Sequence, residues 1–207
     1  RLISALKRDG TFNDTIIVFL SDHGEMLFDH SLWRKLLPYE GAAHIPLFIR
    51  MGTHLGDFPA HRSESVVELM DVMPTLLDLC GIEIPEDVDG ASLANDVRAG
   101  TRLDRALLHG EHAFTVEQSH QYLVSDHDKY IWFSQTGREQ YFDLAHDPRE
   151  EHDLIDDPTC QERMSYLRRQ LIAELDGREE GFVQNGRLVA GQPVVNVLAH
   201  PLAPRQR

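Results

Sequence analysis

Cysteine is scarce in this chain of 207 residues, with only Cys80 and Cys160, far apart and in no metal-type spacing with each other. A disulfide framework is therefore not expected. Cys80 ends an apolar helical pattern and is expected to be a small buried hydrophobe. No apolar run approaches the roughly 18 residues needed to span a bilayer, and no signal-peptide pattern opens the chain. Basic residues are also in deficit. Twenty Lys and Arg face thirty-four Asp and Glu, a net charge of -14, which argues against a nucleic-acid-binding surface. An anionic substrate must then meet a local cationic pocket, in a chain with only three lysines. Internal repeats and low-complexity tracts are absent. The chain opens at Arg1 on what reads as the tail of an amphipathic helix, so an upstream part is expected, carrying any localisation signal; a cytoplasmic location is the default.

What is present is an ordinary globular composition, 42% hydrophobic and 26% charged, enough for a sizeable core. Leu2, Ile3 and Leu6 share one helical face, and Asp9-Gly10 ends that helix. Residues 16–20 form a short β-branched apolar run, expected as a strand buried on both faces of a parallel sheet, and residues 45–49 form a second. Residues 53–65 read as a surface loop and residues 66–70 as a short strand. Asp71 is expected to cap a short helix that has Pro74 in its first turn, Leu76, Leu77 and Cys80 toward the core, and Gly81 as its stop. Residues 82–101 read as a connector. From Arg105 onward, runs at 106–109, 121–125, 130–133 and 140–144 recur at hairpin spacing, as in a small antiparallel sheet. Met164, Leu167, Leu171 and Leu175 then mark a helix over 161–175 that covers one face of it. Residues 177–207 are expected to form an extended arm.

The chemistry concentrates in residues 13–50. Asp22 and His23 follow the first strand, where α/β sheets collect ligands, and offer an oxygen and an imidazole nitrogen suited to a divalent cation. Taken alone, the pair also fits a turn cap followed by an exposed loop histidine. Lys35 lies thirteen residues beyond Asp22, able to neutralise a tetrahedral oxyanion as a compact charge, or else to sit on the surface. His30 is a candidate proton donor or substrate contact, and equally a structural histidine. Glu40 is assigned to orienting backbone amides or Lys35. Glu111-His112 is taken as solvent-facing polarity.

Taken together, these segments resemble the C-terminal half of a sulfatase of the alkaline phosphatase superfamily. The resemblance rests on residues 15–25 (TIIVFLSDHGE), on Trp33-Arg34-Lys35 with Pro38-Tyr39-Glu40-Gly41 and Ile45-Pro46-Leu47, and on residues 71–82 and 89–93. Tyr141-Phe142-Asp143-Leu144 and Asp147-Pro148-Arg149-Glu150 extend it to the C-terminal subdomain. It implies an α/β fold: part of a mixed, mostly parallel sheet flanked by helices over residues 1–100, then a small α+β subdomain over 101–207. It also implies that Asp22 and His23 bind one Ca²⁺ or Mg²⁺ ion and that Lys35 binds sulfate oxygens. His23 stands where many sulfatases have Asn, as in phosphonate and phosphodiester hydrolases that use Mn²⁺. The family's nucleophile, a formylglycine made in a Cys-or-Ser, X, Pro, X, Arg motif, is absent from these residues and is expected from a missing N-terminal part. The implied partner is a small-molecule or saccharide sulfate ester, with no nucleic acid and no membrane span. Two other readings are a phosphonate monoester or phosphodiester hydrolase and a non-catalytic accessory fragment.

Overall fold

A computed structural model describes residues 1–113, 115 and 118–194. In chain order its elements are helix α1 (Leu2–Arg8), strand β1 (Ile17–Leu20), the single-turn helix α2 (Glu40–Ala43) and strand β2 (Leu47–Arg50). Helices α3 (Val72–Leu79) and α4 (Ala94–Ala99) come next, then strands β3 (Leu108–His112), β4 (His120–Val124), β5 (Asp128–Phe133) and β6 (Glu139–Asp143). Helix α5 (Gln161–Leu175) and the short strands β7 (Val183–Gln184) and β8 (Arg187–Leu188) follow. The chain divides into two compact units, residues 1–22 with 45–104, and residues 23–44 with 105–207. The division falls between Asp22 and His23, so residues 23–44 pack with the C-terminal part of the chain. Among the described residues, no helix is long and apolar enough to cross a membrane.

In the first unit, the parallel character expected of the sheet is not shown. β1 and β2 run antiparallel, with Ile17 opposite Arg50 and Leu20 opposite Leu47. Parallel neighbours need a crossover, usually a helix, and residues 21–46 contain only the four-residue α2 and a 3₁₀ turn at Asp29–Ser31. Burial on both faces is corrected, because Phe19 and Phe48, opposite each other, are 61% and 65% exposed. Arg50 closes the base of this ribbon, donating to the Phe12 carbonyl at 2.8 Å while stacking on the Phe12 ring.

The strand expected over 66–70 is a 3₁₀ turn at Leu69–Asp71. The buried Asp71 carboxylate decides this by accepting the N–H groups of Glu68 and Ala91, each at 2.8 Å, which folds the chain back instead of leaving it extended. α3 ends at Gly81 in the left-handed conformation, as expected. Its buried residues are Pro74 and Thr75, however, and Cys80 is exposed. The connector over 82–101 contains α4, held by Asp96, whose carboxylate takes His61 Nε2 at 2.9 Å, Ser65 Oγ at 2.6 Å and Ser63 Oγ. Burial pushes Asp96 upward, yet these hydrogen bonds outweigh it and hold the carboxyl below its ordinary range.

In the second unit, β3 to β6 form an antiparallel meander in sequence order, with each strand hydrogen-bonded to the next. All six residues of β5 are buried. Side chains alternate along a strand, so this requires a cover on both faces. On one face Tyr130 and Trp132 pack with Leu123 and Tyr141 against Met164, Leu167, Leu171 and Leu175 of α5, the expected helix with its expected residues. Arg163 of α5 holds Asp128 through two hydrogen bonds of 2.6 and 2.9 Å. The opposite face carries Ile131, Phe133 and Phe142, and there the cover is the loop of residues 23–44, through Met26, Tyr39 and Ala42 with Leu32 and Leu37 at the margin. The arm expected from residue 177 includes the β7–β8 hairpin, and Phe182 enters the α5 core; residues 195–207 of that arm lie outside the described residues.

His120 is 3% exposed on β4, its Nδ1 at 2.7 Å from the Gln118 carbonyl. Burial lowers its pKa to about 4, and the positive charges of His112 and Lys129 act in the same direction. The unfolded chain therefore binds a proton that the folded chain refuses between pH 6.5 and about 4, so this group erodes stability as pH falls through that window. The loss approaches roughly 3 kcal/mol at the acid end. Denaturant titrations at pH 7 and pH 4.5 should show a smaller stability difference in His120→Gln than in the parent; equal differences would place the acid sensitivity elsewhere.

Candidate functional site

Asp22 is exposed two residues past the end of β1, and His23 begins the loop that lies on the β5 face. This loop is nearly devoid of regular structure but is tightly bonded along its length. Gly24 N–H donates to the Ala42 carbonyl and Glu25 N–H to the Gly41 carbonyl, both at 2.8 Å, and Met26 N–H donates to Arg34 at 3.0 Å. The loop thus doubles back on itself and fastens the residues after His23 to α2. Gly24 makes the close approach possible, since a Cβ there would run into the Gly41 carbonyl. Leu27, Phe28, His30, Ser31 and Arg34 all adopt positive φ, a conformation that non-glycine residues hold only where their surroundings impose it.

The doubling back brings His23 and Lys35 together. Lys35 Nζ donates to His23 Nε2, while His23 Nδ1 stands 2.6 Å from the Gly24 carbonyl. A carbonyl only accepts and an ammonium only donates, so the imidazole carries its proton on Nδ1 and turns the Nε2 lone pair toward the cationic group. His30 is placed apart from this pair. Its ring stacks on Tyr39 with centroids 4.2 Å apart, and its Nε2 is 3.2 Å from the Arg149 carbonyl, a packing role in the present arrangement. Tyr39 in turn donates to Gln140 at 2.8 Å across the sheet. Trp33 is 63% exposed and meets the edge of Phe28.

Glu40 orients neither Lys35 nor a free amide. Its carboxylate takes Lys129 at 2.6 Å and His44 at 2.7 Å, and its own N–H donates to Glu150 at 2.6 Å. Burial pushes the Glu40 carboxyl upward, but the His44 hydrogen bond and the Lys129 charge prevail and bring it down to about 2. Glu150, with the same lysine but deeper burial, is raised. Sequence reasoning missed Lys129 and Glu150; the available signal was a lone lysine among Tyr130, Ile131, Trp132 and Phe133. Glu111 is exposed and pairs with Arg178 at 2.7 Å, and His112 stacks on His120. Among the described residues, Asp147, Glu151 and His152 also gather metal-type ligand atoms within 4.8 Å. There the Asp147 carboxylate accepts the His152 N–H at 2.8 Å, a bond that closes a turn.

The second unit is thus a sheet backed by a helix on one face and by a loop bearing an imidazole and a lysine on the other. Residues 1–82 match the sulfatase family model. The chain is 46% identical to an arylsulfatase of Clostridium perfringens over 94% of its own length and 40% of that protein's. Among solved structures it superimposes on the phosphonate monoester hydrolase of Silicibacter pomeroyi with a TM-score of 0.71 at 32% identity, covering 84% of this chain and 37% of that one. It also superimposes on a protein solved with its substrate D-glucosamine-2-N,6-O-disulfate, with a TM-score of 0.70 at 26% identity, covering 84% of this chain and 37% of that one. The chain belongs to the sulfatase family, within the alkaline phosphatase superfamily. It spans 40% of the length of the Clostridium arylsulfatase.

Gly24→Ala should lower stability by roughly 1–3 kcal/mol in denaturant titration, since the added methyl group must displace backbone. A stability within error of the parent would show that the contact between residues 24 and 41 yields freely.

Proposed function

We propose that this chain supplies the cation-binding and sulfate-binding side of a metal-dependent sulfate-ester hydrolase, with the formylglycine nucleophile contributed from outside these residues. The observation that carries the reading is the pairing of His23 with Lys35 in a chain of the sulfatase family. Asp22 and His23 are consecutive donors, a carboxylate and an imidazole, a set that suits Ca²⁺, Mg²⁺ or Mn²⁺. The Nδ1–H of His23 is spent on the Gly24 carbonyl, the arrangement by which metal-ligating histidines are commonly oriented. The ion would supply positive charge to activate a nucleophile and to polarise the ester.

Lys35 holds a compact charge beside His23, where it would neutralise sulfate oxygens as negative charge builds during transfer. In an acidic chain this local cation meets the requirement for an anionic substrate. His30 is reserved for a substrate contact or proton donor, with the Tyr39 stack setting its ring plane. The substrate class is an aryl or saccharide sulfate ester, in keeping with the names of the similar proteins.

A second reading, phosphonate monoester or phosphodiester hydrolysis, is favoured by His23 at the metal position and by the likeness to the Silicibacter enzyme. Rates on an aryl sulfate and on an aryl phosphonate monoester, measured with the complete enzyme, separate the two. A third reading is a non-catalytic accessory fragment, and sulfatase activity from the 207 residues alone would end it. Lys35→Ala in the complete enzyme should reduce kcat/KM about a hundredfold or more on whichever substrate is turned over. An unchanged value would remove Lys35 from the site.

A further inference from the structure

Lys129 is 1% exposed at the start of the most deeply buried strand. Its ammonium group donates to the Pro38 carbonyl at 2.8 Å and to Glu40 Oε1 at 2.6 Å, and forms an ion pair with Glu150 Oε1 at 2.8 Å. The other oxygen of Glu150 takes the Glu40 N–H at 2.6 Å. Glu150 is itself 1% exposed, and its backbone is in the left-handed conformation at the end of the Asp147-Pro148-Arg149-Glu150 turn. Two ionised side chains from the C-terminal sheet and its following turn therefore converge on residues 38–40. A buried lysine between two carboxylates gives little net stability compared with apolar packing, so its retention calls for another account.

Geometry supplies one. Residues 38–40 lead into α2, whose Gly41 and Ala42 carbonyls hold the N–H groups of Glu25 and Gly24. Those two residues directly follow His23, whose ring meets Lys35. We infer that Lys129 and Glu150 are positioning residues for the His23–Lys35 pair, acting through Pro38, Glu40 and α2. This rests on the functional reading above for its catalytic meaning, but the positioning itself is a property of the loop. A salt bridge that served stability alone would have no such directed connection: its loss would loosen the sheet and the loop together.

The test compares the parent with Lys129→Met and with the double variant Lys129→Met/Glu150→Gln, which removes both buried charges and lessens the risk of misfolding that the single variant carries. Hydrogen exchange on the full chain is followed at the Gly24 and Glu25 amides and at the Tyr130 and Ile131 amides of β5. In the double variant, protection at Gly24 and Glu25 should fall about tenfold or more while that at Tyr130 and Ile131 is retained. Equal protection at all four amides before and after, or a parallel loss at all four, overturns the inference. In the complete enzyme the same variant should lower kcat about tenfold or more with KM within about twofold. A loss confined to thermal stability, with kcat unchanged, also overturns it. Failure of the functional reading would appear separately, as a parent enzyme inactive on sulfate esters, and would leave the exchange result intact.

Discussion

β5 is buried on both faces, and the rest of the second unit is arranged to meet that constraint. A strand with both faces apolar is stable only between two layers, and in a unit with a single long helix the second layer has to come from elsewhere. It comes from residues 23–44, more than eighty residues upstream of β5 in sequence. Met26, Tyr39 and Ala42 cover Ile131, Phe133 and Phe142, while α5 covers Tyr130 and Trp132. The segment carrying His23 and Lys35 is thus a structural layer as well as the place where the candidate chemistry resides.

That double role explains a loop with so little regular structure and so many strained residues. Helix α2 is a single turn, and positive φ recurs between Leu27 and Arg34, so local backbone preference does not hold the loop. Packing on the sheet, the paired N–H groups of Gly24 and Glu25, and the buried contacts of Lys129 hold it instead. Rigid support of this sort holds the imidazole in one tautomer, with its Nδ1–H on the Gly24 carbonyl and its Nε2 facing the Lys35 ammonium.

Several elements were legible because their signals are local. The α5 stripe of Met164, Leu167, Leu171 and Leu175 repeats with the helical period, and each of these residues is buried. The four strands of the meander lie within three residues of the runs that announced them, since a hairpin needs only alternation and a turn. Other elements misled because identical local patterns serve different partners. The apolar runs at 16–20 and 45–49 suit a parallel interior strand as well as an antiparallel ribbon with exposed Phe19 and Phe48, and only the pairing distinguishes them. Cys80 follows the expected helix, yet the buried side of α3 is Pro74 and Thr75.

The sequence by itself determined that His23 and Lys35 belong to one segment, that the segment resembles a sulfatase site, and that α5 has one apolar face. These follow from residue identity and short-range periodicity, which are properties of the chain before it folds. Tertiary structure alone decided that Lys35 meets His23, that Glu40 turns to Lys129 rather than to Lys35, and that Lys129 and Glu150 stand behind the loop. A buried charge is located by the acceptors that surround it. For Lys129 two of those acceptors lie about ninety residues away, at Pro38 and Glu40, a separation over which sequence pattern carries no distance information.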